Sequence, residues 1–291
     1  PASATAYVAE ALVRLIADSG ILPAGALQFV AGSAGDLLDH LTGQDLVAFT
    51  GSIETSERLR NHPAISRNAV RFVAERDSLN AAVLGPDAVP GTPEFDLFVK
   101  EVVREMTAKA GQKCTAIRRV LVPRALENDV ITALGQKLAG LAIGDPRQEG
   151  TRMGPLVSLA QRDDIRARIA ELSTEAEVVV GDPANDGAPG GAFLAPVLLR
   201  CADPATARKV HTVEAFGPVA TVIAYDGLDQ AVELVRRGEG SLVASVFTHD
   251  DAVADALVFG LAPFHGRILV VDRDCAGEST GHGSPLPGLV H

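Results

Sequence analysis

Residues 101–122, EVVREMTAKAGQKCTAIRRVLV, decide how this chain is read. Just upstream, Thr92-Pro93-Glu94 carries the marks of a helix start. Threonine offers an N-cap hydroxyl, proline suits the first helical position, and an acid favours the first turn. Phe95, Phe98, Val99, Val102, Val103, Met106 and Ala110 then recur at helical spacing, so one helix face is expected to be buried. Gly111 suits the exit from a helix. Residues 118–122 pass into a β-prone run ending Val-Leu-Val. The stretch therefore reads as helix, short turn and strand, with Cys114 in the turn. Rigid elements on both sides would fix that side chain in space, as a nucleophile requires.

Position alone leaves another reading open, because cysteine is also a small buried hydrophobe. Lys109, Lys113, Arg118 and Arg119 surround the thiol in sequence. Nearby cations favour the thiolate, whereas the partial negative charge at the preceding helix end opposes it. Which effect wins is not set by sequence.

The chain has 291 residues, enough for about two domains. Hydrophobic residues make up 47% and charged ones 22%, a balance that supports a large core. A net charge of -11 argues against non-specific binding to nucleic acid or to anionic membrane. Tryptophan is absent and there are two tyrosines, which disfavours base-stacking platforms. Cys114, Cys201 and Cys275 lie too far apart to suggest a disulfide framework or a metal cluster, so no metal is expected. No apolar run approaches the ~20 residues of a membrane span. The opening PASATAY lacks a basic leader region, so a cytoplasmic protein is expected.

In chain order, residues 2–18 read as an amphipathic helix and 27–31 as a short apolar strand. A helix over 36–41 follows, then a strand over 46–49, a polar helix over 54–61 and a strand over 70–74. This βα alternation predicts an α/β fold with a parallel sheet. Thr50-Gly51-Ser52 falls at a strand's carboxyl end before a helix, where backbone N–H groups and the helix dipole favour an anion. A plain strand-to-helix turn explains the same residues. Glu75, at the end of the next strand, is a candidate general base or a solvated charge, with Asp77 as a weaker rival. Beyond residue 80, helices are expected over 93–110, 124–138, 159–172, 229–236 and 251–259. Strands are expected over 219–224, 241–247 and 267–271, and polar surface loops over 175–185 and 187–191. The expected divisions are 1–80, a partial dinucleotide-binding domain; 81–270, a domain carrying the thiol; and 271–291, a loop segment.

AGQKCTA resembles the nucleophile motif of the aldehyde dehydrogenase superfamily, and the longer run EVVREMTAKAGQKCTAIRR resembles its acyl-CoA semialdehyde branch. AGSAGDLLDHL, AFTGS, DSLN, EAFGPVAT and ESTGHGSPLPGLVH follow the same family in the same order. The resemblance implies an aldehyde dehydrogenase-like α/β fold with a partial Rossmann-type cofactor domain. It implies Cys114 as nucleophile and Glu75 as base, and it makes Gly51 and Ser52 pyrophosphate contacts, with Gly32 in the preceding loop. Glu214 would hold the nicotinamide ribose and Phe216 would pack near the ring. Ser3 would face the adenine ribose, where a small hydroxyl tolerates a 2′-phosphate that a carboxylate would repel, so NADP is expected over NAD. His282 and Ser284 would lie near the substrate path.

The implied activity is NADP-dependent oxidation of a CoA-linked semialdehyde to the acid in aerobic phenylacetate catabolism. The near alternative is the dehydroadipyl-CoA semialdehyde of benzoate breakdown. A thiol hydrolase without nicotinamide and a non-catalytic remnant are the readings from other classes. The resemblance further implies a homo-oligomer, a fused or partner hydrolase domain, and family segments lying outside this sequence, so poor stability and little activity are expected of the segment alone.

Overall fold

The computed structural model of the chain describes residues 1–277, 279 and 281–283. Ser284 lies outside them. Two units divide the chain, residues 1–77 and 78–291.

In the first unit, helix α1 (Ala6–Asp18) is amphipathic, and Val8, Leu12 and Leu15 on its apolar face are exposed. Strands β1 (Leu46–Thr50) and β2 (Arg71–Glu75) pair in parallel, from Leu46 opposite Arg71 to Thr50 opposite Glu75. Helices α2 (Ile53–Arg60) and α3 (Pro63–Arg67) form the crossover between them. The hydroxyl of Ser52 caps α2 by accepting from the Thr55 N–H, as a serine before a helix is expected to do. Two expectations fail here. Residues 27–31 are irregular rather than a strand, and 36–41 shrinks to the 3-10 turn Leu37–His40. Gly32 and Gly35 flank these runs in left-handed conformations, which end regular structure on either side. In this unit, Ser56, Ala64, Ile65 and Val70 are the buried side chains among the described residues.

The second unit is built on a sheet whose strands are β3 (Asn80–Leu84), β4 (Ile117–Pro123), β5 (Ala176–Val180), β6 (Val197–Cys201), β7 (Val219–Tyr225), β8 (Ser241–Phe247) and β9 (His265–Val271). Their order is β5-β6-β7-β4-β3-β8-β9, parallel throughout except for the β5–β6 pair. Central parallel strands are covered on both faces and so read as continuous apolar runs. Side chains alternate between faces. Ala82, Leu84, Val120 and Val122 pack with helices α4 (Pro93–Thr107) and α5 (Glu127–Ala139). Ala81, Val83 and Leu121 pack on the other face with α6 (Leu159–Leu172), α7 (Leu228–Arg236) and α8 (Asp251–Leu261). Phe98 of α4 meets Phe247 of β8 edge to face, with ring centroids 5.3 Å apart; fully burying such a ring contributes about 2–3 kcal/mol.

Strand β5 corrects the surface loop expected over 175–185. Its Glu177 faces Arg200 across the antiparallel pair at 2.6 Å, so the polar content that suggested a loop belongs to an edge strand. No described helix is long and apolar enough to cross a membrane.

Candidate active site

Helix α4 delivers the thiol. The Thr92 hydroxyl caps it by accepting from the Phe95 N–H at 3.3 Å. The helix ends at Thr107, and Lys109, Ala110 and Gly111 follow with φ of 54°, 52° and 69°. Three successive left-handed residues, two of them with side chains, store strain of about 1–2 kcal/mol per non-glycine residue. Gly111 is required at its position, because a Cβ there would overlap the carbonyl of Gly217. The chain then turns through half-buried Cys114 into β4.

Two buried polar side chains clamp that turn. Asn80, the first residue of β3, donates its amide to the carbonyls of Cys114 and Ala116 at 2.8 and 3.0 Å. Its carbonyl oxygen accepts from the Ser78 hydroxyl and the Val243 N–H. Arg118, near the start of β4, donates from Nε to Glu214 at 3.1 Å, and through its terminal nitrogens to the carbonyls of Gly217 at 2.7 Å and Gly111 at 2.8 Å. Burial lowers the Arg118 pKa; Glu214 opposes that shift, and Glu105 and Cys114 act in the same direction as Glu214. The guanidinium and a thiolate at Cys114 therefore stabilise each other.

The four cations next to the thiol in sequence take different roles in space. Lys113 places its ammonium 2.8 Å from both oxygens of buried Glu105. Arg119 points away, into the opposite face of the sheet, where it donates to the carbonyls of Leu79, Leu234 and Val235. Burial pushes its pKa down to about 10. The expectation that Arg119 helps to activate the thiol is thus corrected: neighbours on a strand face opposite ways. Sequence reading also missed Asn80 and Glu105 as parts of the site. Both carried a signal: Asn80 opens an apolar run, and Glu105 lies on the helix stripe of Phe98, Val102 and Met106.

Glu214 receives Arg118 at one oxygen and the Ser78 N–H at the other, 3.3 Å away. Phe216 lies under the same guanidinium, its ring centroid 5.4 Å from Cζ. Cys114, Glu214 and Phe216 are therefore gathered around Arg118. His282 is fully buried rather than facing a channel: its Nδ1 lies 2.6 Å from the Ser245 hydroxyl, and its backbone N–H donates to Glu101 at 2.7 Å. Burial pushes its pKa down to about 3, with Lys113 and Arg267 adding to the effect.

In the first unit, Gly51, Ser52 and Glu75 meet at the carboxyl ends of β1 and β2. The Gly51 N–H donates to the Glu75 carbonyl at 3.1 Å, and a Cβ at Gly51 would come 2.7 Å from the Phe49 ring. Gly51 thus serves by its lack of a side chain, while the exposed first turn of α2 offers N–H groups to an anion. Gly32 and Ser3 are exposed; Ser3 opens a 3-10 turn and does not cap α1, whose N-cap is Thr5. These groups fit a dinucleotide. The glycine turn and helix N-terminus suit the pyrophosphate of one.

A mostly parallel α/β sheet with a thiol in a clamped turn before its central strand is an arrangement able to present a cysteine nucleophile. The sequence model described as the aldehyde dehydrogenase family matches residues 1–261, and the chain belongs to that family. It is 50% identical, over all of its length and 58% of the relative's, to 3,4-dehydroadipyl-CoA semialdehyde dehydrogenase of Aromatoleum evansii. It matches the structure of betaine aldehyde dehydrogenase from Staphylococcus aureus in complex with NAD+ with a TM-score of 0.78 and 26% identity, over 90% of this chain and 51% of that one. It also matches an NADP-dependent enzyme of E. coli with a TM-score of 0.80 and 27% identity, over 93% and 54% of the two chains. The chain spans about half the length of the curated relatives it matches.

Proposed function

We propose that this chain carries the nucleophile and much of the cofactor site of a dehydrogenase that oxidises a CoA-linked semialdehyde to the acid. The observation that carries the reading is the clamped Cys114 turn, with Arg118 linking it to Glu214 and Phe216. The Cys114 thiolate attacks the aldehyde carbon, and the Cys114 backbone N–H donates to the resulting oxyanion. Loss of hydride from that adduct leaves an acyl thioester on Cys114. Bound nicotinamide supplies the hydride acceptor; Glu214 and Phe216 orient it, and Gly51, Ser52 and Gly32 hold the pyrophosphate end. Glu75 takes a proton from water, the hydroxide adds to the thioester, and the thiolate leaves with the acid formed.

NADP is favoured by the small, exposed Ser3. The A. evansii relative favours a dehydroadipyl-CoA semialdehyde of benzoate breakdown as a second reading beside the phenylacetate-type substrate. The family resemblance also carries the proposals of a homo-oligomer and of a fused or partner hydrolase domain. The test is formation of reduced nicotinamide, followed by absorbance in the intact protein with both semialdehydes and both cofactors. Production of NADPH that stops in Cys114→Ala supports the reading. No reduced nicotinamide under any combination ends it.

A further inference from the structure

We infer that Arg118 is the positioning residue that locks the Cys114 turn to the Glu214–Gly217 loop, so that thiol reactivity and nicotinamide-ribose binding depend on one guanidinium. This rests on the dehydrogenase reading and gives Arg118 a role in it that is testable apart from turnover.

The geometry is two-sided. Toward the turn, the guanidinium holds the carbonyl of Gly111 at 2.8 Å and that of Lys113 at 3.5 Å. Toward the loop, it holds Glu214 at 3.1 Å and the Gly217 carbonyl at 2.7 Å, with Phe216 stacked beneath it. The two segments lie so close that a Cβ at Gly111 would overlap the Gly217 carbonyl. Arg118 is 4% exposed, so these bonds act without competition from bulk water. The planar fork is what the place demands: three directions at fixed angles, which a lysine ammonium cannot reproduce.

The arrangement also fixes what Glu214 can do. Arg118 and the Ser78 N–H each hold one oxygen, which fixes the orientation of the carboxylate. Without the guanidinium, the carboxylate would rotate and the turn would lose its hold on Gly111. The neighbouring cations do not substitute, since Lys113 is committed to Glu105 and Arg119 to carbonyls on the other face.

The test uses the intact protein and two readouts other than turnover. One is the rate of Cys114 alkylation by iodoacetamide across pH 6–10, with the label located by mass spectrometry. The other is the affinity for NADP+, measured by calorimetry. Arg118→Gln is expected to slow alkylation at neutral pH, to move its pH profile upward, and to weaken NADP+ binding, each by about tenfold, as for loss of a charge-assisted hydrogen bond. Arg118→Lys keeps the charge and loses the fork, so the pH midpoint of alkylation stays near the wild type while the plateau rate of alkylation and NADP+ binding each fall by about tenfold. A folded Arg118→Gln protein with wild-type alkylation and wild-type NADP+ affinity overturns the proposal. If Arg118→Gln does not fold, wild-type NADP+ affinity in Arg118→Lys overturns it. A wild-type protein that binds no nicotinamide cofactor ends the dehydrogenase reading itself, a result visible before any substitution is made.

Discussion

The side-chain amide of Asn80 reaches the backbone carbonyl of Cys114 at 2.8 Å, so the first residue of one strand sets the position of the thiol that precedes the next. Asn80 makes four hydrogen bonds, to Cys114, Ala116, Ser78 and Val243, which satisfies its amide completely. Replacement by alanine leaves buried carbonyls and a buried N–H unpaired. The expected cost is about 2–4 kcal/mol, read as a lower urea midpoint, with a matching loss of specific alkylation at Cys114. An Asn80→Ala protein with unchanged midpoint and unchanged labelling would contradict this.

Glu105 and Lys113 form an ion pair with one member buried and the other one-fifth exposed. Glu105→Gln leaves an ammonium beside a neutral amide. Breaking a buried pair costs about 3–5 kcal/mol, and the partial exposure of Lys113 places this pair at the low end. The double variant Glu105→Gln/Lys113→Met should regain part of that loss, because neither charge then remains. Denaturant unfolding of all four proteins gives the coupling; strictly additive effects would rule out the pair as a stabilising unit.

Gly111 and Ala110 share a left-handed backbone, yet substitution should act in opposite directions. Gly111→Ala adds a Cβ against the Gly217 carbonyl and should destabilise by about 2 kcal/mol or more. Ala110→Gly relieves φ of 52° and should be neutral or stabilising by up to about 1 kcal/mol. Thermal midpoints that fall equally in both variants would show that the strain is not where the backbone places it.

His211 and His282 give the fold an acid limit. Burial pushes each ring to about 3 from its ordinary value of 6.5. Between those values the unfolded chain binds protons that the folded chain refuses, so stability falls as pH drops below 6.5 and is fully present above it. The slope approaches about 1.4 kcal/mol per pH unit for each ring. Glu94 adds a further loss below 4.5, since Arg273 holds its carboxyl down at about 2. The thermal midpoint of the wild type should therefore fall from pH 7 to pH 5. That slope should flatten in His211→Gln/His282→Gln, whatever the variant's stability at pH 7.

Much of this architecture was legible, for identifiable reasons. Helix α4 carried its own start signal in Thr92-Pro93, and β7, β8 and the Val120–Val122 end of β4 were largely apolar runs of the kind that doubly covered strands produce. Helix α6 and strand β8 matched the expected bounds, 159–172 and 241–247. Residues 27–31 looked equally apolar, but a strand exists only where a neighbour completes its ladder, and sequence does not show the neighbour. Strand β5 hid behind its exposed Glu177. At the site, Cys114, Glu214 and Phe216 were named from sequence and stand around Arg118. Sequence adjacency could not sort Arg118 from Arg119, although strand alternation required them to part. His282 read as a loop residue because its burial depends on Glu101, Ser245 and Arg267, all remote in the chain.

The central claim is covalent chemistry at Cys114 completed by Glu75. The most direct measurement is mass spectrometry of intact Glu75→Gln protein mixed with NADP+ and an acyl-CoA semialdehyde. The account predicts one equivalent of NADPH in a burst and an acyl group retained on the peptide containing Cys114. A variant that turns over without accumulating the adduct, or an acyl group found on another residue, would contradict it.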